Sequence, residues 1–87
     1  MQKTITPKQL QEICKVISLN TVELYLENYR FGKFRLTPNI KSNALYDLNR
    51  DFLNTFYTYL FYRGKIEAAT NVEKAFKDFD VKAIEMG

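Results

Sequence analysis

Residues 52–61 carry the strongest pattern in the chain, with Phe52, Phe56 and Leu60 on one helical line and Leu53, Tyr57 and Phe61 on the line beside it. Two adjacent apolar lines are wider than the stripe of a helix lying on a surface, so the pattern predicts a core helix over 48–63. Tyr59 and Tyr62 widen the apolar arc further. That surplus marks them as candidates for contact with the last segment of the chain, a second subunit or another partner. Gly64 ends the helix.

The rest of the chain must supply what packs around that helix. Thr6-Pro7 is a helix start, with Thr6 able to cap free amides and Pro7 in the first turn, where its missing donor costs nothing. A helix over 7–16 then puts Leu10, Ile13, Cys14 and Ile17 inward and leaves Lys8, Gln11, Glu12 and Lys15 in water. Ser18 and Asn20 offer two caps, so the chain turns at Ile17-Ser18-Leu19 and restarts as a helix over 20–29. Leu19, Val22, Leu26 and Tyr29 form its inward stripe, and Leu24 is left as an exposed apolar residue. Between 30 and 47 the helical period lapses around Gly32 and Pro38, and Phe34–Thr37 and Ala44–Asp47 read as the strands of a small hairpin. After Gly64 a helix over 67–79 turns Ala68, Val72, Ala75, Phe76 and Phe79 inward, and Asp80 to Gly87 are expected to fray. Eighty-seven residues hold one such domain and no more.

Residue usage removes most chemistry. There is no His and no Trp, and the one Cys falls on an inward helical stripe, where a small buried thiol is the ordinary reading. The pairs Asp47 and Asp51, and Asp78 and Asp80, have no His, Cys cluster or glycine-rich loop beside them. No catalytic residue, metal site or cofactor is therefore expected, and no enzyme or small-molecule substrate. No run approaches the length of a membrane span and the first residues are not those of a secretory signal, which predicts a soluble, cytoplasmic protein.

Charge is uneven along the chain. Residues 1–27 carry three basic and three acidic side chains, residues 28–65 seven against two, and residues 66–87 three against five. Positive charge concentrated in the middle suits a polyanionic partner. Two short helices joined by a tight turn, the second opened by small polar residues, are also the physical recipe for a helix-turn-helix. The first helix props the second, whose amino-terminal end then offers Ser18, Asn20 and Thr21 to base edges in a major groove.

The run Ile17-Ser18-Leu19-Asn20-Thr21-Val22, preceded by Thr6-Pro7-Lys8-Gln9-Leu10-Gln11-Glu12-Ile13, resembles the turn and first helix of helix-turn-helix proteins. Further on, Phe31-Gly32-Lys33-Phe34-Arg35, Ala44-Leu45-Tyr46-Asp47-Leu48 and Phe52-Leu53 are similar to the wing and following helix of excisionase-like winged helix-turn-helix proteins. That resemblance implies a mainly α fold with a two-stranded β-hairpin wing and a C-terminal helix. It also implies duplex DNA binding without catalysis, in transcription regulation or as a recombination accessory factor. Lys33, Arg35 and Lys41 would lie on phosphates by position in the wing, with Arg30 beside them. Glu23 and Glu27 put negative charge on the second helix, so a second reading stays open. It is a helical protein-interaction module, an inhibitor or adaptor, that uses Leu24, Tyr59 and Tyr62. Under either reading the surplus apolar positions of the aromatic helix and the last helix make one of them the expected surface for a homodimer.

Overall fold

The computed structural model describes residues 3–30 and 45–84. In chain order they form strand β1 (Lys3–Ile5), helices α1 (Pro7–Cys14) and α2 (Leu19–Arg30), strand β2 (Tyr46–Leu48), helices α3 (Arg50–Tyr62) and α4 (Ile66–Ala75), and a 3-10 turn over Lys77–Phe79. The protein is mainly helical with a small two-stranded antiparallel sheet. No helix among the described residues is long and apolar enough to cross a membrane.

The described sheet is a pairing that the sequence reading does not anticipate. β2 begins two residues later than the Ala44–Asp47 strand and pairs with β1 at the start of the chain, in the register Lys3 to Leu48, Thr4 to Asp47 and Ile5 to Tyr46. The two strands are therefore joined through the whole of α1 and α2 and not by a local turn. The strand expected over Phe34–Thr37 lies outside the described residues. β1 went unpredicted because three residues are too few to show alternation.

Helix starts follow local chemistry. Thr6 and Gln9 make a reciprocal capping box at α1: the Gln9 amide donates to Thr6 Oγ1 at 3.2 Å and the Thr6 amide to Gln9 Oε1 at 2.9 Å. Asn49 caps α3 by accepting from the Phe52 amide at 2.8 Å. After α3 the chain passes through Gly64 at φ 74, a left-handed conformation that glycine adopts at no steric cost.

The core is built on α3. Phe52, Leu53, Phe56 and Leu60 are buried, and α2 lays Val22, Tyr25 and Leu26 against them. Tyr25 stands 4.7 Å from the Phe56 ring, 4.8 Å from Tyr59 and 5.9 Å, edge-on, from Phe52. The stripe read from the sequence leaves Tyr25 out and gives the place to Leu19, which is only partly buried. Leu10, Cys14 and Ile17 close the core from α1 and its turn, and Ala68, Ala69 and Val72 from α4. Ala75 faces solvent instead of the core, because α4 ends there and the 3-10 turn redirects Phe76 and Phe79 inward.

The expected fraying of the tail is also corrected over residues 80–84. Arg50 Nε donates to the Phe79 carbonyl at 3.0 Å, the Lys82 amide to Asn54 Oδ1 at 2.9 Å, and the Ile84 amide to Thr58 Oγ1 at 2.8 Å. Arg50, Asn54 and Thr58 are spaced four apart, so one line of α3 is a ladder of polar groups. The extended chain is bound along it, with Val81 buried.

Candidate nucleic-acid interface

α1 and α2 are connected by residues 15–18, and the reversal is abrupt. Lys15 takes φ 66 and ψ −36, and the Val16 amide donates to the Cys14 carbonyl at 2.7 Å across it, a γ-turn of the positive-φ kind. The same carbonyl accepts from Asn71 Nδ2 of α4 at 3.0 Å. α4 thereby fixes the end of α1, and through it the place where α2 starts. Asn71 was not among the sequence candidates. Its one signal is a polar residue next to Val72 on the inward side of the last helix.

Ser18 is the cap of α2. Its Oγ accepts from the Thr21 amide at 3.2 Å and shares a 2.9 Å hydrogen bond with Thr21 Oγ1. Two of the three residues expected to approach bases thus hold the helix start closed, Thr21 half-buried and Ser18 exposed. Asn20 projects into solvent from the first turn. That turn contains no acidic residue, so no carboxylate within it neutralises the positive end of the helix dipole. Glu23, one turn later, is half-buried.

Arg30 is the last residue of α2, with its side chain outside the described part of the protein, and Lys33, Arg35 and Lys41 also lie outside it. The described ends of that basic segment are placed by the fold. It leaves from the end of α2 and returns at β2, whose partner β1 leads directly into α1.

The three partner-interface candidates separate. Leu24 is half-buried and not the exposed residue expected. Tyr59 is engaged internally, against Tyr25 on one side and with the Arg63 guanidinium 5.1 Å from its ring centre. Tyr62 is open to solvent.

A shallow groove of about 480 Å³ runs between β1, α1 and the chain after α4. Ile5, Ile13 and Phe76 form its floor, with Glu12 and Lys15 on the rim. One carboxylate and one ammonium on an apolar floor make no acid-base or nucleophilic constellation. Among the described residues no three Cys, Asp or Glu side chains come together as metal ligands. Burial pushes the Cys14 thiol up to about 12, which keeps it protonated and unreactive. Comparison with protein-family models, curated proteins and solved structures found no match to this chain.

Proposed function

We propose that this chain is a non-enzymatic protein that binds duplex DNA, with α2 presented to the major groove and the basic segment after it on the phosphate backbone. The observation that carries the reading is the pairing of a buttressed helix start, open to solvent at Asn20, with the concentration of positive charge that follows in sequence. Ser18 and Thr21 order the first turn, Asn20 meets base edges, and Arg30, Lys33, Arg35 and Lys41 neutralise phosphates. The mechanism is positioning. A wing over residues 31–47, a cytoplasmic location and a role in transcription or recombination belong to this proposal.

Affinity of this kind is dominated by phosphate contacts and weakens steeply with salt. Anisotropy titration of a labelled random-sequence duplex at about 50 mM salt is expected to give a Kd on the order of 1–10 µM. The double variant Lys33→Glu, Arg35→Glu should bind at least ~100-fold more weakly, with a shallower salt slope. Asn20→Ala should leave this non-specific affinity unchanged, because a base-edge contact contributes only on a matched sequence. Absence of binding by the unmodified protein at that salt overturns the proposal.

A further inference from the structure

Of the five large apolar side chains exposed among the described residues, Val16 and Leu45 stand apart and the other three gather at one corner. Phe61 is 48%, Tyr62 69% and Ile66 51% exposed, within six residues of one another. The tight turn at Arg63 and Gly64 folds the start of α4 back beside the last turn of α3. The Lys65 amide donates to the Leu60 carbonyl at 2.9 Å and the Gly64 amide to that of Phe61 at 3.1 Å. Tyr57, Phe61 and Tyr62 form a continuous run of rings, the first two stacked at 6.5 Å and the last two edge-on at 6.1 Å. The last turn of α3, Tyr59 to Tyr62, is aromatic or aliphatic on every side, and Phe61 and Tyr62 are its uncovered part.

The charges bordering this corner decide what fits it. Lys65, Ile66 and Glu67 are consecutive and all exposed, so the start of α4 reads basic, apolar, acidic. A strip of that form is complementary to itself when rotated by half a turn about Ile66, since Lys65 of each copy then meets Glu67 of the other. Arg63, exposed beside Lys65, lays its guanidinium 5.1 Å from the centre of the Tyr59 ring, so its position is set within the chain and Lys65 and Glu67 are the charges next to Ile66. We propose that the α3–α4 corner is the surface through which two copies of this chain associate about a two-fold axis. Ile66 packs at the centre, Phe61 and Tyr62 flank it, and two Lys65–Glu67 pairs close the ends. The open apolar surface is on the order of 300 Å² per copy, short of the roughly 800 Å² of a tight interface, so association is weak, in the micromolar range or above. This inference does not depend on the DNA-binding reading.

Sedimentation velocity on the full chain without DNA, from about 10 to about 500 µM, is expected to show the mass rising from one chain toward two. Lys65→Glu and Glu67→Lys should each weaken association at least ~10-fold, because each replaces two attractive pairs by two repulsive ones. The double variant Lys65→Glu, Glu67→Lys should return to within about threefold of the original. Tyr62→Ser should weaken association without altering the fold, since its ring is solvent-exposed, and circular dichroism checks this for every variant. A single-chain mass across the whole range, a Lys65→Glu variant that associates as well as the original, or a double variant as weak as the singles each overturns the proposal.

Discussion

Cys14 shows how far burial alone can set the chemistry of one side chain. It sits on the inward face of α1 with no exposed surface, and desolvation of the thiolate pushes its pKa from 9.0 to about 12. The folded protein therefore keeps the thiol proton over a range in which the unfolded chain has lost it. That contribution to stability is complete below pH 9.0 and drains away as pH climbs toward about 12, by roughly 1.4 kcal/mol per pH unit. Urea denaturation of the protein and of Cys14→Ala from about pH 8 to about pH 11 should show the stability advantage of the original shrinking with pH. An advantage that stays level contradicts the buried-thiol account. The burial of Cys14 was legible from its helical spacing. That of Tyr25 was not, because a tyrosine is compatible with either face until its neighbours are known, and here Phe52, Phe56 and Tyr59 of another helix decide it.

The eight residues of α1 are too few to be helical alone, so its ends matter more than its propensity. The start is local, and Thr6-Pro7 with Gln9 announces it in the sequence. Its end is not local. The helix stops at Cys14, two residues before the expected boundary, where Lys15 adopts a positive φ and Asn71, 57 residues away, donates to the last carbonyl. Asn71→Ala should cost about 1 kcal/mol, the usual worth of one such hydrogen bond, measured as a shift in the urea midpoint with an unchanged slope. No shift would mean that the γ-turn alone holds the reversal. The candidate site divides along the same line. Ser18, Asn20 and Thr21 were readable as a helix start because capping is a short-range matter. That Ser18 and Thr21 are bonded to each other, leaving Asn20 to project, depends on rotamers that no spacing rule specifies.

Across the molecule, the arrangement is held by contacts between residues distant in sequence. β1 pairs with β2 more than forty positions away, α4 holds the end of α1, and the chain after Phe79 runs back along α3. A helical period cannot announce such contacts, which is why the helices were readable while the sheet partner and the bound tail were not. A trace of the tail was present: Asn54 and Thr58, four apart in an otherwise apolar segment, are polar residues that a core helix tolerates only when their oxygens are occupied. Thr58 Oγ1 both donates to the Asn54 carbonyl at 2.7 Å and accepts from the Ile84 amide. Ending the chain after Asp80 removes both amide donors and the buried Val81 side chain, and opens this line of α3 to water. The loss is about 3 kcal/mol, one buried aliphatic side chain and two hydrogen bonds, a large share of the roughly 4–13 kcal/mol that stabilises a domain of this size. The truncated protein should remain folded at low temperature, with Tm lowered by roughly 15 °C in a circular dichroism melt. Melting within about 3 °C of the full chain would show that the tail contributes little and that α3 is held by α2 and α4 alone.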